Sequence, residues 1–171
     1  FYRGDWIHGK KHGRGKCTRF NFVYEGGYEN DRRFTGDDNS APANFTLSNG
    51  DVYTGPASLT PQATPSLHSG FEYGHSLWHG KGGMYKFSDG SVYVGDMVNG
   101  IPHGNGKYTD VNGDIMEGDF VDGMLHGYGR HERADGIVHE GDFWKGMAHG
   151  KAKVIMPNGA ELAGDFVDGV M

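Results

Sequence analysis

The chain has 171 residues, including 31 glycines, ten phenylalanines, nine tyrosines and three tryptophans, and a formal charge of −6. Glycine at about 18%, against a usual share near 7%, follows no Gly-X-Y period, so collagen is excluded; no apolar run reaches the ~18 residues that a spanning helix needs. Residues 1–33 hold eight Lys or Arg against four acids while residues 93–171 hold six against thirteen, which excludes the basic stripe of a general nucleic-acid binder and sets the acidic part against anionic lipid. The one cysteine, Cys17, has no partner for an internal disulfide, which points to a reducing, cytoplasmic setting. The chain opens on Phe1 rather than Met and reads as a piece of a longer protein.

In chain order, residues 2–15 run Tyr-Arg-Gly-Asp-Trp-Ile-His-Gly-Lys-Lys-His-Gly-Arg-Gly, two short segments of alternating character around a glycine. A second copy opens at Tyr24-Glu25-Gly26-Gly27-Tyr28 but loses its His-Gly half, and an irregular insertion is expected near 37–48. A third opens at Tyr53. It is interrupted by a longer insertion near 56–78 holding Pro56, Pro61 and Pro65, which suits an excursion off a sheet edge, with Thr60-Pro61 and Thr64-Pro65 read as plain linker. Order resumes at His79-Gly80-Lys81-Gly82. From there Gly95, Gly118, Gly141 and Gly164 recur every 23 residues, each opening Gly-Asp-(Met or Phe)-x-x-Gly. In Tyr93–Met97, alternation puts Tyr93, Gly95 and Met97 on one face and Val94 and Asp96 on the other. The pairs Asn49-Gly50, Asp89-Gly90, Asn112-Gly113, Asp135-Gly136 and Asn158-Gly159 predict reversals through type I′ turns. Each unit is thus a β-hairpin of about 23 residues, and glycine at this density would cost about 1 kcal/mol per helical position.

The pattern Tyr-x-Gly-x-Trp-x-x-Gly-x-x-His-Gly-x-Gly resembles the MORN (membrane occupation and recognition nexus) repeat family, and residues 2–15 carry it at every fixed position. Seven copies begin at Tyr2, Tyr24, Tyr53, Tyr93, Met116, His139 and Leu162. They depart from the family pattern where Met116, His139 and Leu162 replace the first tyrosine and where Met97, Phe120, Phe143 and Phe166 replace tryptophan. The resemblance implies an all-β fold: an elongated, twisted, single-layer antiparallel meander of about seven two-stranded repeats without a hydrophobic two-layer core, forming one array over 1–171. Members serve as cytoskeletal and ciliary scaffolds, as junctional proteins between membranes, and as modules appended to lipid kinases and lysine methyltransferases, whose catalysis lies outside the repeats.

The candidate site residues follow from that frame. The rings Tyr2, Trp6, Tyr24, Tyr28, Tyr53, Tyr93, Phe120, Phe143 and Phe166 form a ladder expected to pack between repeats and to offer a groove to an extended or helical protein segment. Lys10, Lys11 and Arg14 are the candidate lipid-headgroup patch, divided between faces by alternation. His12, His79, His103, His126 and His149 recur two strands apart, roughly 10 Å, too far to share a zinc, and His68, His75 and His79 lack a supporting cysteine or spacing, so no metal, cofactor or catalytic residue is expected. The recurring Asp96, Asp119, Asp142 and Asp165 serve architecture. Residues 9–17 imitate a phosphate loop but put Lys10 and Cys17 at two of its fixed positions. A non-catalytic scaffold is the expected role, in a cytoskeletal, ciliary or membrane-associated assembly, with homodimerisation through the edge strand at Asp165-Phe166-Val167. The alternatives are a phosphoinositide-binding module and the targeting region of a larger enzyme.

Overall fold

A computed structural model describes residues 1–19, 22–34, 43–55 and 80–171. The described chain is all-β and antiparallel, as expected, with no helix: β1 (Tyr2–Ile7), β2 (Lys10–Arg19), β3 (Phe22–Glu29), β4 (Arg32–Phe34), β5 (Ala43–Leu47), β6 (Val52–Gly55), β7 (Gly80–Lys86), β8 (Val92–Val98), β9 (Ile101–Thr109), β10 (Ile115–Val121), β11 (Met124–Glu132), β12 (Val138–Trp144), β13 (Met147–Ile155) and β14 (Glu161–Phe166). Two compact units result, one of residues 1–88 with 97–101 and the other of 89–96 with 102–171. In the first, the strands neighbour one another as β1-β2-β3-β5-β6-β7, with β4 paired to β3. In the second, β9 to β14 pair in sequence.

Ala43–Leu47, inside the stretch expected to be an irregular insertion near 37–48, is strand β5, paired with β3 through Tyr24↔Phe45 and with β6 through Phe45↔Tyr53. Its alternation hides Ala43 and Phe45 and exposes Asn44 and Thr46, a two-residue period too short to stand out in sequence. The insertion near 56–78 lies outside the described residues, as do 37–42.

The turn chemistry is the reverse of the expectation. Type I′ geometry, with positive φ at both central residues, belongs to His8-Gly9, Asn99-Gly100, Asp122-Gly123, Lys145-Gly146 and Asp168-Gly169. At Asn49-Gly50, Asp89-Gly90, Asn112-Gly113, Asp135-Gly136 and Asn158-Gly159 only the glycine is left-handed, with φ between 83° and 103°. The N–H groups of Gly50, Gly113, Gly136 and Gly159 donate three residues back at 2.8–3.0 Å, so these are three-residue loops built on a type I turn and closed by a left-handed glycine. Asn or Asp precedes that glycine because its side chain accepts the N–H two residues on, as in Ser91 N–H to Asp89 Oδ1 at 2.8 Å and Ala160 N–H to Asn158 Oδ1 at 3.0 Å.

The core is a ring laid over a pair of facing glycines. Gly4 pairs with Gly15, and a side chain at either would strike the Tyr2 ring. Tyr53 covers Gly55 and Gly83, and Tyr93 covers Gly95 and Gly106. The hydroxyls then turn to the backbone: Tyr24 donates to the Gly27 carbonyl at 2.9 Å and Tyr93 to that of Asp96 at 2.8 Å. Where a repeat lacks the tyrosine, another residue fills the same space. Leu125 of β11 sits over Gly118 and Gly129, the methyl of Ala152 lies against Gly141, and the Met171 sulfur covers Gly164.

Candidate functional site

The recurring polar positions are absorbed by the hairpins. Between Gly118↔Gly129 and Phe120↔Leu125 the register shifts, and the same shift occurs between Gly4 and Trp6 and between Gly141 and Phe143. One residue of the outgoing strand, Asp5, Asp119 or Asp142, therefore faces three of the returning strand, each trio centred on the His-Gly glycine. That glycine is left-handed, with φ of 60°, 66° and 89° at Gly13, Gly127 and Gly150. The bulge frees a backbone N–H, and the aspartate takes it: Arg14 N–H donates to Asp5 Oδ2 at 3.1 Å and Lys151 N–H to Asp142 Oδ2 at 3.2 Å. The architectural role expected of the acids thus has a definite form.

The histidines beside these glycines go separate ways. The His126 ring packs on Trp144 with centroids 4.4 Å apart, and His149 Nδ1 lies 3.3 Å from Asp168 Oδ1. His79, His68 and His75 lie outside the described residues. Among the described residues no three His, Cys, Asp or Glu side chains are placed to hold a metal ion. His139 stands across from His131 with rings 6.3 Å apart; burial and the facing His131 lower its pKa.

Of the nine ladder rings, the structure buries Tyr24, Tyr28, Tyr53, Tyr93, Phe120, Phe143 and Phe166. Neighbouring rings account for much of the packing, with edge-on contacts between Tyr24 and Tyr28 at 5.3 Å and between Tyr93 and Phe120 at 5.3 Å. Seven of the nine rings thus form a filled layer between repeats, in which Tyr24, Tyr53 and Tyr93, like the half-buried Tyr2, lie over glycines. Burial raises the phenols of Tyr24, Tyr53 and Tyr93 to about 12. Tyr2 is half-buried and Trp6, on the edge strand β1, is exposed, the two rings meeting edge-on at 5.2 Å.

The three members of the basic patch do different things. Lys11 Nζ lies over the Tyr2 ring at 5.3 Å and the Tyr28 ring at 5.9 Å. Lys10 lines a cleft of about 660 Å³ with Glu29, Asn30, Arg32 and Arg33. Arg14 is exposed, its backbone held by Asp5. Arg32 and Arg33 were not singled out in the sequence, and the type I′ pair Asn30-Asp31 brings them opposite Glu29 and Tyr28.

Two further features went unnoticed in the sequence. Asp51 is a buried carboxylate that accepts the Tyr85 hydroxyl at 2.6 Å, the Asn49 amide at 2.8 Å and the Ser88 N–H at 2.8 Å. Burial alone would raise its pKa, but these donors outweigh it and hold the carboxyl below its ordinary 3.8. Asp114 repeats the device one loop type on, accepting Ala134 N–H at 2.8 Å, and the shared signal is Asn-Gly-Asp at 49–51 and 112–114. The second feature is a row of exposed apolar residues flanking the type I′ turns of the second unit: Val121 and Met124, Trp144 and Met147, Val167 and Val170. Their signal is the 23-residue recurrence Val121, Trp144, Val167 and Met124, Met147, Val170.

The family profile described as MORN repeat matches residues 2–21, 93–115, 117–138 and 139–161, just over half of the chain. No curated protein matches it. MORN repeats are in general modules that engage proteins or membranes.

Proposed function

Because the chain belongs to the MORN repeat family, we propose that it is a non-catalytic interaction scaffold that takes a segment of a partner protein. The observation that supports this most directly is the exposure of large apolar side chains on a sheet that buries seven of its nine ladder rings. Trp6, Tyr128 and Trp144 are each roughly half-exposed or more. Exposed apolar area marks interaction surfaces where it stands in rows, as Val121, Trp144 and Val167 do in the second unit. Asp5 and Asp142 are engaged in bulges, His126 in a ring contact with Trp144, and His149 with Asp168. The setting proposed is cytoplasmic, in a cytoskeletal, ciliary or membrane-associated assembly.

A phosphoinositide-binding role is the second reading, and the observation that favours it is the cleft lined by Lys10, Arg32 and Arg33. Immobilised protein screened against a random peptide library, alongside sedimentation with vesicles containing phosphoinositides, separates the two. Enrichment of peptides that bind in solution, with no sedimentation, is the result expected. Sedimentation that is lost in Lys10→Ala with Arg32→Ala, with no enriched peptide, would replace the scaffold by the lipid module.

A further inference from the structure

The second unit carries a row of exposed apolar side chains along one margin and an excess of negative charge. Val121 (37% exposed), Met124 (42%), Trp144 (48%), Met147 (45%), Val167 (62%) and Val170 (71%) lie at the type I′ ends of hairpins that follow one another in the meander. They stand as facing pairs, Val121↔Met124, Trp144↔Met147 and Val167↔Val170. Alternation sets them opposite the buried Phe120, Leu125, Phe143, Ala148 and Phe166, so the row lies on the face away from the ring layer. Strands are about 4.8 Å apart, so six adjacent positions give a row of roughly 24 Å. The unit holds 14 Asp or Glu against six Lys or Arg; of the three turns between the paired residues, Asp122 and Asp168 occupy the outer two and Lys145 the middle one.

We propose that this row is the docking surface for a basic amphipathic helix of a partner protein. The inference rests on the scaffold reading and names its surface and its partner's chemistry. Three physical matches support it. One helical turn rises about 5.4 Å, close to the ~4.8 Å strand spacing, so apolar residues at i, i+4, i+7 and i+11 meet successive strands. Lys and Arg on the flanks of such a helix meet Asp122, Asp168 and the remaining acidic excess, which steers association. The same excess opposes the other occupants, since an anionic membrane or a second copy of this face would bring like charges together.

The test uses a labelled synthetic 18-residue helix of leucine at the i, i+4, i+7 positions and lysine elsewhere, about 27 Å long, read by fluorescence anisotropy against the full chain. Wild-type protein is expected to bind it in the micromolar range and to bind a leucine–glutamate counterpart at least about tenfold more weakly. Met147→Ser with Val170→Ser should weaken binding about tenfold or more, whereas Val111→Ser, an exposed valine at the opposite loops, should leave it unchanged. Asp122→Asn with Asp168→Asn keeps side chains that tolerate positive φ and should weaken binding severalfold while flattening its salt dependence. Unchanged circular dichroism qualifies each variant. Failure of the wild type to bind the lysine helix, or equal loss in Val111→Ser, overturns the proposal, as does retained binding in the Met147/Val170 variant. If library-selected peptides bind that variant as well as wild type, the row is refuted while the scaffold reading stands; if no peptide is selected from the library, it is the scaffold reading that has failed.

Discussion

The two units solve one packing problem with different residues. In the first, the space over each glycine pair is taken by a tyrosine from the outgoing strand: Tyr2 over Gly4 and Gly15, Tyr53 over Gly55 and Gly83. In the second only Tyr93 does so, and Leu125, Ala152 and Met171 fill the equivalent spaces from elsewhere. The comparison teaches that the repeat specifies a volume above bare backbone, and that either strand of the hairpin can supply it. Tyrosine adds something the aliphatic fillers lack, a hydroxyl that reaches the carbonyl three residues on.

Alkaline pH should separate the units most. The phenols of Tyr24 and Tyr53 stay protonated in the folded state to about 12 against an ordinary 10.0, so their contribution to stability is complete below pH 10 and is lost as pH rises through 12. Burial pushes Tyr28 and Tyr85 up as well, so the first unit is expected to unfold within that window, ahead of the second. Tyrosinate absorbance and near-ultraviolet circular dichroism should change together there; tyrosines ionising near pH 10 without loss of structure would show the rings to be accessible.

Removing the filler comes next. Tyr93→Ala should cost about 3–5 kcal/mol and Leu125→Ala about 2–4 kcal/mol, both read by denaturant unfolding, since each opens a cavity over glycines that cannot collapse. Tyr93→Phe, which keeps the ring, isolates the hydroxyl bond to Asp96 and should cost about 0.5–1.5 kcal/mol.

Asp51→Asn is a smaller break, confined to the first unit. It exchanges a charged acceptor of three donors for a neutral one, at an expected cost of about 1.5–3 kcal/mol. Because the folded carboxyl lies below its ordinary 3.8, wild type should lose this stability as pH falls below about 4 while the variant shows a flatter acid limb.

The finest distinction is a methyl group. Gly106→Ala drives a Cβ into the Tyr93 ring and should cost about 1–3 kcal/mol, whereas Gly129→Ala meets only the end of Leu125 and should cost less than about 1 kcal/mol. Ala152, opposite Gly141, shows that the second unit already tolerates the change.

Much of this architecture is legible in the residues. The 23-residue recurrence of glycine fixes the hairpins, and alternation assigns Tyr93, Gly95 and Met97 to the buried face as observed. The turn types are not legible from pairs alone, because Asn-Gly serves a two-residue I′ turn and also the end of a three-residue loop, and the difference lies in the register of the flanking strands. Nor is the burial of the ladder. An isolated strand pattern shows that Tyr24 and Phe120 share a face type, but not that the Tyr24 ring lies over Gly26 while Phe120 packs edge-on against Tyr93. Lys10, Lys11 and Arg14 were adjacent in sequence, yet alternation and a bulge send one over rings, one into a cleft and one to solvent. The exposed row shows in the recurrence of Val121, Trp144 and Val167, but each directly follows a ring, and two adjacent apolar residues do not reveal which of them faces solvent.

The shared void over each glycine pair also governs how such an array can change by duplication. Met116 stands where Tyr93 stands one repeat earlier, and the missing ring is compensated by Leu125, at the position occupied by Pro102 in the preceding copy and Ala148 in the following one. A strand moved singly from one copy to another would bring two fillers to one void or none. The smallest piece that can be copied, exchanged or grafted without repair is therefore a whole hairpin with both of its strands.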